Sequence, residues 1–288
     1  DEAGALRTGA QQRPRRREVA PADRELLAKW TARLLTCIDT RVDPAYLLRF
    51  NYTAGDRFDN SVNQYGLLGL YSAHLCGIEI KPAVWEAAAN HLLASQSPEG
   101  PKVQLELIDY RTLAARAADP DATFTRSQMV QRALGWSYHE PKSDGELTPT
   151  WGSMTSAGIT GLAICEAGLA DNPQFKRPTL VGNSRRARDD GFAWLAQWMT
   201  PRHHAGAIER QQSWLYYYLY SLERAALLSG VALIQDRDWY FEGAMVLVLA
   251  QQADGHWPAE IHWDQGIERD AMAILFLKQS TAPVVTGR

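Results

Sequence analysis

Cysteine is scarce in this chain, and the three present, Cys37, Cys76 and Cys165, lie far apart with no CxxC spacing. That argues against a zinc ribbon or a disulfide framework, and inside apolar helical patterns they read as small buried hydrophobes. No apolar run approaches the roughly 20 residues that a membrane span needs. Charge of neither sign prevails: 30 Lys and Arg stand against 33 Asp and Glu, a formal net charge of −3. Without a positive field, nucleic acid is not an expected partner. Missing as well are any long strand-like alternation, a P-loop, a dinucleotide fingerprint and a nucleophile elbow, so no cofactor is indicated.

What the chain does have is length and apolar content. With 288 residues, 45% of them hydrophobic, it can bury a core over most of its length, and a repeat array of that size counts as one domain. Residues 1–23 carry the run Arg13-Pro14-Arg15-Arg16-Arg17 and almost no large apolar residues. They are expected as a poorly ordered arm, either a solvated linker or a docking arm for an acidic partner. A first residue of Asp1 instead of methionine leads us to expect an upstream segment, and with it a periplasmic or secreted location.

From residue 24 to residue 280 the apolar period is helical, and 281–288 read as a tail. Leu26, Leu27, Trp30, Leu34, Leu35 and Ile38 fall on one helix face. Further helices are expected over 63–76, 82–96, 155–169, 184–199, 213–229, 238–252 and 268–279. Pro82 suits a first helical turn and Gly77 a helix end. The stretch 97–150 is the least regular and is expected as an insertion packed on the array, with short helices over 109–118 and 124–133.

Helices of two kinds alternate. One kind is small or apolar nearly all round, as in Gly158-Ile159-Thr160-Gly161-Leu162-Ala163-Ile164, which suits burial between neighbours. The other is amphipathic and ends at a glutamine: Gln96, Gln197 or Gln252. The fold class expected is all-α, an α/α toroid or partial toroid of alternating inner and outer helices.

Leu249-Ala250-Gln251-Gln252-Ala253-Asp254-Gly255-His256-Trp257 resembles the QW motif of squalene–hopene and oxidosqualene cyclases, in which a helix ends in Gln, a short turn, Gly and Trp. There the glutamine amide can cap orphan helix-end groups while the tryptophan stacks on it. Weaker copies stand at Gln96-Ser97-Pro98-Glu99-Gly100 and around Gln197, so the resemblance covers roughly residues 24–280. The chain is also similar to bacterial prenyltransferase and squalene oxidase repeat proteins, with counterparts at Asn60-Ser61-Val62-Asn63-Gln64-Tyr65, Gly152-Ser153-Met154-Thr155, Tyr216-Tyr217-Tyr218-Leu219-Tyr220 and Asp238-Trp239-Tyr240.

The resemblance implies the toroid and no single reaction. The DxDD motif by which class II cyclases protonate substrate is missing, since Asp119-Pro120-Asp121-Ala122 and Asp189-Asp190-Gly191 are incomplete. No cysteine has an aspartate two residues before it, as the zinc site of protein prenyltransferases implies, so both chemistries are disfavoured. The visible helix pairs are fewer than a closed ring needs, and a protein partner that completes the toroid, or a longer chain, is expected.

Candidate chemistry gathers at helix starts and in one loop. Alternate spacing in His256-Trp257-Pro258-Ala259-Glu260-Ile261-His262-Trp263-Asp264 aims Glu260, His262 and Asp264 the same way, as an acid/base pair or weak metal ligands. A packed Pro/Trp loop is the plainer reading, and no metal site is predicted. Asp270 sits in a first helical turn, where a carboxylate favours the dipole and, in a toroid, also meets the cavity mouth. Asn60, Asn63, Gln64, Ser153 and Thr155 hold equivalent helix starts and would form a polar rim. Trp214, Tyr217 and Tyr218, with Tyr216 and Tyr220, put more hydroxyls on one helix than a dry core takes, so some should line a ligand cavity. Asp238 completes the binding set.

Three functions follow as expectations. The first is a binding module for a protein or for a hydrophobic or carbohydrate small molecule. The second is an enzyme, a polysaccharide lyase or hydrolase or a divergent isoprenoid enzyme, using Asp270, Glu260 and His262. The third is a structural subunit of an envelope assembly, tethered by the basic arm.

Overall fold

In the computed structural model the described residues are 17–39, 43, 47–52, 58–119, 128–139, 149–170, 172, 177–206, 214–260 and 266–279. They form nine helices and three strands: α1 (Pro21–Leu35), α2 (Asn60–Leu75), α3 (Pro82–Ser95), β1 (Lys102–Asp109), α4 (Tyr110–Ala118), β2 (Gln128–Arg132), α5 (Gly152–Ala170), α6 (Pro178–Trp198), α7 (Leu215–Leu228), β3 (Val231–Ile234), α8 (Trp239–Ala250) and α9 (Ile267–Lys278). Most of the arm, residues 1–16, and the tail lie outside the described residues, as does His262; Arg17 N–H donates to the Leu75 carbonyl at 2.8 Å.

Local chemistry explains the helix ends. Pro21, Pro82 and Pro178 open α1, α3 and α6, where a missing N–H costs nothing because the first helical donors have no partner in the helix. Asp59, Asp109 and Asp238 cap α2, α4 and α8 by accepting from backbone N–H groups one turn in. Asp238 therefore stands at a helix cap rather than in a cavity.

Helix α5 is the centre. Sixteen of its residues are buried, among them Met154, Ile159, Leu162 and Ile164, and α2, α3, α6 and α7 all pack on it. Its glycines let aromatic rings come close: a Cβ on Gly158 would lie 2.3 Å from the Trp136 ring. Beyond α5, α9 packs on α7, α8 on α9 and α7, and α1 on α2. Among the described residues no helix is long and apolar enough to cross a membrane.

The all-α expectation is corrected. The structure is 61% helical but carries a three-stranded antiparallel sheet, strand order β2–β1–β3, and shows no toroid. Two of its strands, β1 and β2, come from the segment expected as an irregular insertion, and β3 comes from between α7 and α8. In β1, Val103, Leu105 and Leu107 alternate with Gln104 and Glu106, and the strand pairs β2 through Lys102–Glu106 and β3 through Leu107–Asp109. It packs on α6. The cysteine reading is corrected too: Cys165 is buried, but Cys37 is exposed and Cys76 only half-buried.

The glutamine–tryptophan turn occurs twice with the same bonding. Gln96 and Gln251 are the residues that end α3 and α8. Trp136 Nε1 donates to the Leu92 carbonyl at 2.8 Å, and Trp257 Nε1 to the Leu247 carbonyl at 2.7 Å, each four residues before its glutamine. Ser97 N–H bonds the Gly135 carbonyl and Gln252 N–H the His256 carbonyl, both just before the tryptophan. Trp136 N–H then donates to Thr155 Oγ1 and Trp257 N–H to Asp270 Oδ1, each the fourth residue of the helix that follows. In the first copy β1, α4 and β2 are inserted between glutamine and tryptophan. The turn register thus falls on Gln251, not Gln252; Gln197 is exposed within α6, whose cap is Met199.

Candidate functional site

Helices α2 and α7 both pack closely on α5 and meet each other through their longer side chains. Long side chains cross the interval, and polar residues line all three walls. On α2 these are Asn60, Asn63 and Gln64; on α7 they are Tyr217, Ser221 and Arg224, at i, i+4 and i+7. On α5 they are Ser153, Ser156 and Thr160, at i, i+3 and i+7. At 100° per residue the α5 stripe falls between the face at Gly152, which meets Tyr218 of α7, and the face at Gly161, which meets Leu67 of α2 and Leu92 of α3.

The mouth of this seam is tied together by hydrogen bonds. Asn60 N–H donates to the Tyr138 carbonyl at 2.9 Å and its Nδ2 to the Ser137 carbonyl at 2.7 Å, fixing the start of α2 against the strand of chain that leaves Trp136. The Tyr138 and Ser153 hydroxyls lie 3.2 Å apart. Tyr217 OH donates to Gln64 Oε1 at 2.9 Å, and its ring stacks 6.3 Å from that of Tyr65. Further in, Arg224 donates through Nη2 to Ser221 Oγ at 3.2 Å. Its guanidinium lies 3.8 Å from the Tyr220 ring and 5.6 Å from the Tyr65 ring.

What sets the seam apart is unmet hydrogen-bonding capacity. Asn60 Oδ1, Asn63 Oδ1, Gln64 Nε2, Ser156 Oγ, Thr160 Oγ1 and Arg224 Nε and Nη1 are buried without a partner. Each such group costs on the order of 1–3 kcal/mol, so a folded chain retains a cluster of them for a reason other than stability. Burial also pushes the Tyr217 hydroxyl well above the ordinary phenol range. Tyr65 is raised by burial too, with the Arg224 charge opposing. Both phenols stay neutral donors.

Of the residues expected to bind, the seam gathers Asn60, Asn63, Gln64, Ser153 and Tyr217. Trp214 stands at its edge, 37% exposed, with its ring 6.3 Å from Tyr217. Thr155 faces the other side of α5, bonded to Trp136 N–H, and Tyr218 stacks on His204 at 5.3 Å. The expected catalytic residues lie elsewhere. Glu260 accepts from the N–H groups of Trp214, at 2.8 Å, and Leu215, capping α7. Asp270 accepts from His256 Nδ1 at 2.6 Å, from Trp257 N–H at 3.2 Å and from Arg269 Nε at 3.1 Å. Among the described residues no three His, Cys, Asp or Glu side chains gather as a metal site.

Sequence reasoning misses Arg224, Ser156, Thr160 and Tyr138. The serine and threonine are small enough to pass as packing residues, and only their shared face on α5 marks them. Compared with protein-family models, curated proteins and solved structures, the chain matches none.

Proposed function

We propose that the chain is a binding module for a small hydroxylated molecule, of the sugar or polyol class, held in the seam between α2, α5 and α7. The observation that carries the reading is the set of unpartnered buried atoms, which mixes donors (Gln64 Nε2, Arg224 Nε and Nη1), acceptors (Asn60 and Asn63 Oδ1) and hydroxyls that serve as either (Ser156, Thr160). A polyhydroxyl ligand offers both halves of each bond. The flanking rings of Tyr65, Tyr217, Tyr220 and Trp214 supply the apolar faces on which a pyranose C–H surface packs.

An acid/base enzyme built on Asp270 and Glu260 has less support, since both carboxylates are spent on helix starts and turn geometry. The doubled glutamine–tryptophan turn supports a repeat kinship with the cyclase and prenyltransferase type, without carrying a reaction. Calorimetric titration of the full chain with a panel of neutral sugars and sugar acids tests the function. Binding by at least one panel member that is lost in Gln64→Leu supports the seam. No binding across the panel, or binding indifferent to Gln64→Leu, overturns it.

A further inference from the structure

Arg224 is 2% exposed and lies in the middle of α7. Its contacts include the Ser221 hydroxyl, the faces of Tyr220 and Tyr65, and a side-chain hydrogen bond to Tyr65. The neighbouring Glu223, also buried, lies roughly 100° further round the helix, and its charge acts on Tyr110. Among the described residues no carboxylate pairs with the guanidinium. A buried arginine without a counter-ion is among the costliest arrangements in a protein interior, and ring faces repay only part of the lost hydration. Such a charge is stable in company with an anion, which none of the described residues supplies.

Resting on the binding-module reading above, we infer that the seam takes a hydroxylated monocarboxylate, a sugar acid, whose carboxylate lies on Arg224 Nη1 while Nε, which points to the other side of the guanidinium, donates to a hydroxyl. Hydroxyls of the same molecule meet Asn63, Gln64, Ser156 and Thr160. A single negative charge is the match: one guanidinium neutralises one carboxylate, whereas a phosphate dianion would leave a net charge buried with no second cation on the seam walls. Tyr65, 45% exposed and stacked between Tyr217 and Arg224, is the outermost group over the guanidinium and the ring that must swing for entry.

The test compares uronic and aldonic acids with their neutral parent sugars, and with sodium sulfate as a free anion, by calorimetry on the full chain and on Arg224→Met and Arg224→Lys. The expected result is at least a tenfold preference for one acid over its parent. That preference collapses in Arg224→Met and survives in part in Arg224→Lys, which keeps the charge but loses the separate, fixed donors of the guanidinium. Thermal melting gives a second readout: Arg224→Met, which removes an uncompensated buried charge, melts no lower than the parent chain when ligand is absent. An acid and its parent binding equally overturns this inference and leaves the binding module standing. No binding by any sugar overturns both. Sulfate binding as tightly as the acids, or Arg224→Met melting several degrees lower, shows an anion or structural role and overturns the sugar-acid assignment.

Discussion

The indole of Trp136 donates to the carbonyl of Leu92 at 2.8 Å, joining residues 44 positions apart in sequence. Leu92 belongs to the last turn of α3, where carbonyls have no helical N–H left to accept from, and Trp136 is fully buried, so water cannot stand in. Among the described residues the Ser95 hydroxyl, at 3.3 Å, is the other donor that reaches this oxygen. Trp136→Phe keeps most of the ring contact and removes the donor, and we expect a loss of about 1–3 kcal/mol. At the counterpart turn the Leu247 carbonyl also receives Gln251 N–H at 3.1 Å, so Trp257→Phe should cost less, about 1 kcal/mol. Urea denaturation of the two variants gives the order, and a reversed order would show that the turns are not energetic equivalents.

Thr160 carries a hydroxyl that no group among the described residues meets, on a helix almost wholly buried. Thr160→Val is close to isosteric and deletes only that hydroxyl. In the absence of ligand we expect it to stabilise the chain by about 1 kcal/mol, because desolvating an unbonded hydroxyl opposes folding. Sugar affinity should fall in the same variant. Differential scanning calorimetry settles the first half: a lower melting temperature means the hydroxyl is satisfied by water within the seam.

How far the residues alone lead depends on the range of the forces involved. Helix α5 is legible, expected over 155–169 and found at Gly152–Ala170, because its apolar and small residues leave no polar face to place in water. The alternation Val103-Gln104-Leu105-Glu106-Leu107 is also present in the sequence as a strand signal, but three apolar positions between helices do not show that two partner strands, one from beyond residue 230, will pair with them. The seam was legible residue by residue at the helix starts, where Asn60, Gln64 and Ser153 stand out. Arg224 is not legible, since nothing local says whether a mid-helix guanidinium reaches solvent. That is decided by Tyr65, on a different helix.

Two glycines in helices should respond oppositely to alanine. Gly158 of α5 leaves no room, its added Cβ falling 2.3 Å from Trp136 Cδ2, and overpacking of a rigid core typically costs about 1–3 kcal/mol. Gly182 of α6 is exposed and has nothing within 4 Å of such a Cβ. Gly182→Ala therefore gains helix propensity alone, about 0.5–1 kcal/mol. Equal melting temperatures for the two variants would contradict the packing of Trp136 on α5.

The His256–Asp270 pair gives the chain a pH signature. Hydrogen bonding to Asp270 raises the His256 imidazole above its ordinary 6.5, aided by the nearby carboxylate charges of Asp270 and Asp254. Partial burial works to raise Asp270, but hydrogen bonds from His256, Arg269 and Trp257 N–H outweigh it and hold the carboxyl down at about 2, against an ordinary 3.8. A raised imidazole contributes stability in full below pH 6.5 and loses it as pH rises through the folded value. A lowered carboxyl contributes in full above pH 3.8 and loses it as pH falls toward about 2. The pair is thus at full strength between those two ordinary values. We expect His256→Ala to flatten the alkaline arm of the stability profile and to leave much of the acid arm, since Arg269 and the Trp257 N–H still bond Asp270. Asp270→Asn should flatten both. Proton NMR titration of the imidazole reads the pair directly: a His256 midpoint above 6.5 that falls clearly in Asp270→Asn is the expected outcome, and a midpoint at or below 6.5 in the parent chain would show that the contact does not persist in solution.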